Sequence, residues 1–353
     1  MYIELFFVFF SSLTTLYILR KIAKRVGLVD KPNQRKTHEG LVPLVGGLSI
    51  CIVLVQFLFY NDSIINYSGL YSLSIIILVI VGVIDDKYDL NFKVRLFVQA
   101  ILSFLMIHFA GIKLLNLGNM FGFGVIDFSS MHMTYFAYFI TIIAVIGAIN
   151  AFNMVDGIDG LLGGLSIVTF SSLAIVLKYD GQDSLALFCL VIIVAIIPYV
   201  LFNLGLMGRK RKVFMGDAGS MLIGFTIIWL LLSSSQGAKA PLRPVTALWL
   251  IAIPLMDMAA IMIRRIRRGD SPFKPDREHL HHIFQRIGFS SHQTLGIISL
   301  LAFVFAMFGI YGEIINIPEY IMFLLFLTLF LIYFLMLSYS WRILTLIRKI
   351  IKT

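Results

Sequence analysis

The chain has 353 residues, of which 59% are hydrophobic, and its mean hydropathy is +0.93. A water-soluble fold cannot bury so much apolar surface, so the composition excludes an ordinary soluble protein and indicates a multi-pass membrane protein. The net charge of +10 does not indicate a nucleic-acid partner, because the basic residues flank apolar runs, where they report membrane orientation and suit anionic substrates.

Eleven apolar runs are long enough to cross a membrane, which takes about 20 residues. We therefore predict an all-α polytopic protein that forms one membrane domain over residues 1–353, with no cleavable signal at its start. Cys51 and Cys189 lie within apolar runs and predict neither a disulfide nor a metal site. The predicted spans lie near residues 3–19, 42–60, 69–84, 94–111, 133–150, 161–177, 184–205, 218–236, 245–263, 293–312 and 318–340.

The distribution of Lys and Arg predicts the orientation of these spans. If the segment after the first span is cytoplasmic, 25 of the 29 basic residues lie on that side, all except Lys113, Lys178, Lys239 and Arg243. The positive-inside rule then predicts a periplasmic N-terminus and a cytoplasmic C-terminus, and an odd number of spans agrees with it. On the outside, Ile112–Met131 has glycines among alternating apolar residues and is a candidate for a small periplasmic β-hairpin.

Five polar islands interrupt the apolar runs, and this orientation places all five on the cytoplasmic side. Polar groups in so apolar a chain are costly unless they are used. We interpret the islands as one active site that is built from several loops at the cytoplasmic face. They are Asp30–His38, Asp85–Asp89, Asn150–Gly160, Val213–Ser220 and Asp276–His282.

The second island offers Asp85 and Asp86 at the end of the third predicted span. Asp85 and Asp89 are four residues apart and share a face if the helix continues. Such a group of carboxylates can hold a divalent cation. The alternative is a solvated helix end whose charge Lys87 neutralises.

The third island offers Asp156 and Asp159 with glycines beside each of them, and Asn153 adds an amide. Glycine lets the backbone come close to a ligand, so this pattern favours a binding loop. A polar turn between two spans is the alternative.

The fourth island places Asp217 where a helix is predicted to begin. Asp217 is then either an N-cap or a carboxylate that carries a metal ion to a phosphate at the anion-binding end of the helix. We interpret the basic run Arg209–Lys212 before it mainly as an orientation signal.

The fifth island contains His279, His281 and His282. A zinc site is one interpretation, but no second cluster with cysteines accompanies it. Together with Arg277, the histidines suit contacts to phosphate better. A solvated loop remains the alternative.

Carboxylate ligands without thiolates select Mg²⁺ or Mn²⁺, and Mg²⁺ held by few carboxylates usually also binds substrate phosphates. The residues alone therefore predict phosphoryl transfer at the cytoplasmic face, with one substrate in the membrane. An ion-coupled transporter is the alternative from another class. Transporter sites lie near the bilayer midplane, often on inverted repeats, whereas these acids lie at span ends and no repeat is visible.

At these motifs the chain resembles the polyprenyl-phosphate N-acetylhexosamine-1-phosphate transferase family. The resemblance covers nearly the whole chain, and it is weaker toward the branch whose loop carries three successive histidines, because Leu280 interrupts the run here. The motifs that carry it are GLVDKPNQRKTH, PLVGG, DDKYD, NAFNMVDGIDGLLGG, KVFMGDAGS and SPFKPDREHLHH.

The resemblance implies transfer of N-acetylglucosamine 1-phosphate from UDP-GlcNAc to undecaprenyl phosphate, which gives undecaprenyl-diphosphate-GlcNAc and UMP. It implies Mg²⁺ or Mn²⁺ as cofactor, the bacterial inner membrane as location, and a first step toward O-antigen or enterobacterial common antigen. Another UDP-HexNAc is the alternative donor, and a homodimer is a further expectation.

By motif, the resemblance implies a role for each candidate residue. It implies metal binding by Asp217 and Asp86; catalytic roles for Asp85, Asp86, Asp156 and Asp159; and substrate binding by Asn153, Phe214, Arg277, His279, His281 and His282.

Two mechanisms are open for such a reaction, direct attack by the lipid phosphate and a covalent enzyme intermediate on an aspartate. A phosphate monoester has a second pKa of about 6, so at neutral pH the lipid phosphate is mostly a dianion and needs little help from a base. We therefore favour direct displacement.

Overall fold

The computed structural model describes residues 2–30, 40–237, 240–273 and 278–339, and these form a helical bundle with one very short sheet. The α-helices are α1 Tyr2–Val26, α2 Gly46–Tyr60, α3 Ser68–Tyr88, α4 Phe92–Ala110, α5 Thr134–Met154, α6 Leu161–Tyr179, α7 Asp183–Asn203, α8 Gly216–Ser235, α9 Pro244–Leu250, α10 Ala252–Arg267, α11 Leu280–Ile287, α12 Ser291–Ile314 and α13 Glu319–Ser338. The strands are β1 Val29–Asp30 and β2 Val42–Pro43.

The all-α multi-pass class is confirmed, while the count of eleven spans stays a prediction. In the described part of the chain, nine helices are long and apolar enough to cross a membrane, or ten if the bent pair α9 and α10 is one span. The predicted span near 42–60 is the 15-residue helix α2, which is shorter than each of the nine helices just counted. The one near 245–263 is the bent pair, whose helices meet at 84°.

Proline chemistry explains the bend between α9 and α10. Pro254 has no N–H to donate and its ring excludes the carbonyl of Leu250, four residues earlier, from a regular helix. The hydroxyl of Thr169 on α6 donates to that carbonyl instead, at 3.2 Å. The break is therefore satisfied by a neighbouring helix, as non-helical backbone inside a membrane requires.

The central helix is α8, and 94% of its most apolar 18-residue stretch is buried inside the protein. Its first turns lie directly against two other helices, because a Cβ at Gly47 would lie 2.2 Å from Gly219 and one at Gly82 would lie 2.3 Å from Ala218. Gly224 approaches the backbone of α5 in the same way. These contacts bring one end each of α2, α3 and α5 to the N-terminus of α8.

A short backbone connection joins the start of α2 to the segment before α8. The N–H of Phe214 donates to the carbonyl of Pro43 at 2.9 Å, and the N–H of Gly46 donates to the carbonyl of Phe214 at 3.0 Å. Pro43 belongs to β2, which pairs with β1 in an antiparallel sheet. Asp30 ends β1, and the other residues of the first polar island lie outside the described residues.

The segment Ile112–Met131 folds back on itself without forming regular strands. Asn116 and Asp127 make one isolated antiparallel bridge. The side-chain oxygen of Gln236 accepts hydrogen bonds from the N–H groups of Leu115 and Asn116, at 2.8 and 3.0 Å. Three backbone hydrogen bonds also join the two arms: the N–H groups of Leu117, Ile126 and Phe128 donate to the carbonyls of Ile126, Gly118 and Leu115. The segment is therefore an irregular hairpin-like turn with one bridge and no regular strands.

The predicted orientation can be tested by cysteine labelling at two exposed positions. Phe123, between α4 and α5, is 96% exposed, and Leu206, between α7 and α8, is 68% exposed. We expect a membrane-impermeant maleimide to label Phe123→Cys in intact cells and to label Leu206→Cys only after permeabilisation. The two native cysteines are buried, so the parent protein serves as an unlabelled control. Labelling of Leu206→Cys from outside intact cells would reverse the orientation.

Candidate active site

The N-terminus of α8 is where the polar islands meet. Asp86, from the last turn of α3, accepts a hydrogen bond from the N–H of Asp217 at 2.9 Å, and its other oxygen lies 3.5 Å from the N–H of Ala218. A carboxylate is favoured there because the first amides of a helix have no partner within the helix. Asp86 therefore caps α8, and Asp217 is not an N-cap but lies within its first turn.

Asp217 is held in place but stays open to solvent. The Nδ2 of Asn153 donates to one carboxylate oxygen of Asp217 at 2.5 Å and also lies 2.7 Å from the hydroxyl of Ser220. The other carboxylate oxygen lies 3.5 Å from the Nη1 of Arg95, and the Asp217 side chain is 34% exposed. This carboxylate is positioned by two other elements and remains accessible to a ligand.

Asp85 is buried and both of its oxygens are engaged. One accepts a hydrogen bond from the N–H of Leu90 and the other from the Nη1 of Arg95, each at 2.7 Å. The helix does not continue to Asp89, which adopts a left-handed conformation with φ of 53°. Arg95 thus lies between Asp85 and Asp217, a role that its basic neighbourhood in the sequence did not reveal.

Asp159 pairs with Lys212, the residue just before the fourth island. Its carboxylate lies 2.5 Å from the Nζ of Lys212, which in turn lies 5.2 Å from the centre of the Phe214 ring. Lys212 belongs to the run that we interpreted mainly as an orientation signal, yet here it bridges two islands. Phe214 is half-buried, with a cation over its ring.

Asp156 lies in the loop between α5 and α6 and faces other negative charges. Burial, together with the nearby carboxylates of Asp217 and Asp159, raises the pKa of Asp156 to about 7. A positive charge placed among these carboxylates would lower that pKa again, because it favours the ionised form. The loop is thus suited to receive a cation.

Asn203, at the end of α7, joins the third island to the fourth and was missed in the sequence. Its side chain is buried, accepts a hydrogen bond from the N–H of Gly160 at 2.5 Å and donates one to the carbonyl of Val213 at 2.9 Å. The only sequence signal was a polar residue at the end of an apolar run.

The histidine island is anchored by Asp257, a second residue that the sequence analysis missed. One oxygen of Asp257 lies 2.6 Å from the Nδ1 of His279. The other accepts a hydrogen bond from the N–H of Leu280 at 3.1 Å and from the hydroxyl of Tyr333 at 2.6 Å. Asp257 is an acid within the predicted span 245–263, and an ionisable residue inside a span is by default a candidate functional residue.

His281 is buried against the loop of the third island. A Cβ at Gly157 would lie 2.0 Å from the Nε2 of His281, and this nitrogen has no hydrogen-bond partner among the described residues. Burial, together with positive charge on His282 and His279, lowers the pKa of His281 to about 3. His281 is therefore neutral, so it adds no positive charge to the loop. Arg277 lies outside the described residues.

The structure thus brings four of the five islands together. Asp86 and Asn153 both contact Asp217, and Gly157 contacts His281. The ring of Phe92, just after the second island, stacks on that of Phe273, before the fifth, at a centroid distance of 5.1 Å. The first island mostly lies outside the described ranges.

A divalent cation fits this donor set only with help from a substrate. In the part of the chain that the structure describes, no group of three or more His, Cys, Asp or Glu side chains is arranged to hold a metal ion. Mg²⁺, however, is usually held by one or two carboxylates together with phosphate oxygens and water. Asp217 is the accessible carboxylate, and Asp86 retains lone pairs besides those that accept amide hydrogens.

Comparison with known proteins places the chain among transferases. Residues 69–235 match the family described as glycosyl transferase family 4. Over 348 residues the chain is 51% identical to the undecaprenyl-phosphate alpha-N-acetylglucosaminyl 1-phosphate transferase of Yersinia pestis, a match that covers 98% of this chain and 94% of that protein. Proteins with the same name from Escherichia coli O157:H7 and Haemophilus influenzae are 48% and 45% identical, with 98% of this chain and 94% and 97% of theirs covered.

Asn203 gives a test of how the two loops are held. Asn203→Ala should leave the Gly160 N–H and the Val213 carbonyl unpaired, at a cost of about 1–3 kcal/mol for each buried group. We expect a clearly lower midpoint of thermal unfolding in detergent and faster proteolysis in the connections 155–160 and 204–215. Asn61→Ala is the matched control, because that side chain makes one partly exposed hydrogen bond, to the carbonyl of Phe57. Equal thermal unfolding midpoints for the two variants would contradict the role of Asn203 in holding the two loops.

Proposed function

The chain belongs to glycosyl transferase family 4, and on that premise we propose that it transfers N-acetylglucosamine 1-phosphate from UDP-GlcNAc to undecaprenyl phosphate, with UMP as the second product. Full-length relatives that carry this activity in their names support the proposal. Membership of a transferase family removes the ion-coupled transporter from consideration.

The observation in the structure that best supports the proposal is the way Asp217 is presented. Asp86 and Asn153, from two other helices, fix the first turn of α8 around it. Arg95 and Lys212 place positive charge at the same site. Carboxylates for a cation beside basic side chains form a site for two phosphorylated substrates that must be brought together despite their repulsion.

The reaction needs no net proton transfer. An oxygen of the lipid phosphate forms a bond to the phosphorus that bears the sugar, and the bond from that phosphorus to UMP breaks, with the electron pair leaving on the UMP phosphate. One phosphate monoester attacks and another leaves, so the charge is conserved. The protein has to orient the two phosphates in line and to screen their charges.

The contacts of Asp85 and Asp86 favour direct displacement over a covalent enzyme. Both oxygens of Asp85 are engaged, by Arg95 and by the Leu90 N–H, and Asp86 accepts the N–H of Asp217. A carboxylate held in this way would have to break these bonds before it could attack phosphorus. We assign Asp85 to holding Arg95, and Asp86 to holding the first turn of α8.

Asp217, with Asp86 beside it, would hold Mg²⁺ or Mn²⁺, and Asp156 and Asp159 line the same site from the α5–α6 loop. Such an ion neutralises the charge on the phosphates and on the leaving UMP. Asn153 keeps the Asp217 carboxylate oriented for this task.

The donor side of the site would be formed by Phe214 and the histidine island. Phe214 offers an aromatic face for the uracil ring, beside Lys212 for the diphosphate. His281 lies against the α5–α6 loop, with His279 and His282 beside it, and we expect Arg277 to add positive charge for the diphosphate. Another UDP-HexNAc remains the alternative donor. We place the enzyme in the bacterial inner membrane, with its site on the cytoplasmic side, at the start of O-antigen or enterobacterial common antigen synthesis.

The metal role of Asp217 predicts a specific defect. Asp217→Asn keeps the size of the side chain and removes its charge, so we expect transfer activity to fall about tenfold to a hundredfold and the apparent Mg²⁺ affinity to weaken. Initial rates measured across a Mg²⁺ titration, with undecaprenyl phosphate and labelled UDP-GlcNAc, would show both effects.

Asp62→Asn is the matched control for this variant, because Asp62 is exposed in the connection between α2 and α3. Unchanged thermal unfolding of Asp217→Asn would show that the fold is intact. An unaltered Mg²⁺ requirement in an active Asp217→Asn protein would contradict the metal role.

Direct displacement predicts that the enzyme releases no UMP until both substrates are present. Purified enzyme with UDP-GlcNAc and Mg²⁺, but without lipid phosphate, should release no stoichiometric UMP and should carry no sugar phosphate. Rapid-quench measurement of UMP and mass spectrometry of the intact protein would check this. A burst of UMP with label on Asp85 or Asp86 would establish a covalent enzyme instead.

A further inference from the structure

We propose that Asp257 is a positioning residue of the donor site, which fixes His279 and through it the histidine island. This inference rests on the proposed function, because it assigns the histidines to the sugar nucleotide. It adds a residue that lies outside every polar island of the sequence and that acts without touching the substrate itself.

Three parts of the structure meet at the carboxylate of Asp257. Asp257 is 1% exposed and lies within α10. It accepts a hydrogen bond from the backbone of Leu280, where α11 begins, and one from the hydroxyl of Tyr333 on α13. With His279 as its third partner, the carboxylate joins the membrane helices α10 and α13 to the loop that carries the histidines.

A charge at the buried position of Asp257 is costly unless it is used. A buried carboxylate inside an apolar helix must be compensated by hydrogen bonds. A neutral side chain could join α10 to α11 at a lower cost in desolvation. A carboxylate differs from a neutral side chain in what it imposes on its partner: it is an acceptor only, so the Nδ1 of His279 must carry a proton and donate it.

The contact to Asp257 determines which ring nitrogen of His279 can meet a substrate. With Nδ1 committed to Asp257, the tautomer and the ring orientation are both fixed, as they are for histidines held by a carboxylate in metal sites and in catalytic triads. Nε2 is then the atom that is left to meet a substrate. A histidine held in this way loses less conformational freedom when it binds, so its contact to the substrate is stronger.

The fixed orientation of His279 extends to the rest of the histidine island. The ring of His279 is stacked on that of His281, with 5.7 Å between centroids and 6° between planes. His281 lies against Gly157, in the loop between Asp156 and Asp159. Asp257 therefore sets the position of the histidines relative to the carboxylates of that loop.

The test is a double-mutant cycle with Asp257→Asn and His279→Ala. Asparagine keeps the size of the side chain, but its NH₂ group no longer requires a proton on Nδ1. We expect each single variant to raise the apparent KM for UDP-GlcNAc roughly tenfold, the worth of one charge-assisted contact, with the KM for undecaprenyl phosphate changed less than about twofold. The double variant should be no worse than His279→Ala alone, because Asp257 has then lost the residue through which it acts.

Tyr333→Phe is the matched structural control. It removes one hydrogen bond from the same carboxylate and leaves the contact to His279 intact. We expect it to lower the thermal unfolding midpoint while the KM for UDP-GlcNAc stays within about twofold of the parent, which separates positioning from simple stabilisation. If Asp257→Asn does not fold, Asp257→Glu, which keeps the charge but displaces it by one methylene, replaces it in the cycle.

Three outcomes would overturn the inference. Losses that multiply in the double variant would show that Asp257 does not act through His279. A KM effect confined to the lipid substrate would place the dyad on the acceptor side. A Tyr333→Phe variant with the same KM defect as Asp257→Asn would reduce Asp257 to a structural role. In each case the parent protein still transfers from UDP-GlcNAc, whereas a parent protein without that activity would refute the proposed function together with this inference.

Discussion

The close approach of α2 and α3 to the first turn of α8 is the constraint on which the rest of the structure depends. At Gly47 and Gly82 no side chain separates the backbones, so the start of α8 is enclosed by protein. An enclosed helix terminus leaves amides that need a partner. Asp86 supplies that partner from α3, and the same contact sets the place of Asp217. Backbone packing and the arrangement of the acids are therefore one feature of this molecule.

Span length and composition are local properties, and for that reason the sequence predicted the helices well and their breaks poorly. Pro198 lies inside α7, which continues through it, whereas Pro254 follows a bend of 84°. Membrane helices tolerate proline when a neighbour satisfies the freed carbonyl, so the residue itself does not distinguish the two cases. The difference depends on partners such as Thr169, 81 residues away from Leu250.

The same reasoning explains which parts of the site could be predicted. Asp86, Asp217 and Asn153 belong to dense polar motifs, and the structure brings them together. Asn203 and Asp257 are single polar residues in apolar stretches, and their partners lie 43 and 22 residues away. Only the three-dimensional structure shows that they hold the loops. A sequence search that gave weight to isolated acids inside spans would have found Asp257.

The contact between Gly157 and His281 has a consequence for how such an enzyme can diversify. At this contact two segments of the chain meet. The acids and the residues that hold them lie within residues 69–235, whereas the histidines and Asp257 lie after residue 235. In the proposed assignment, the acids for the phosphates and the histidines for the sugar nucleotide would come from separate stretches of sequence that meet at Gly157. Substitutions in the later stretch would then alter recognition of the sugar nucleotide while the arrangement of the acids is inherited unchanged.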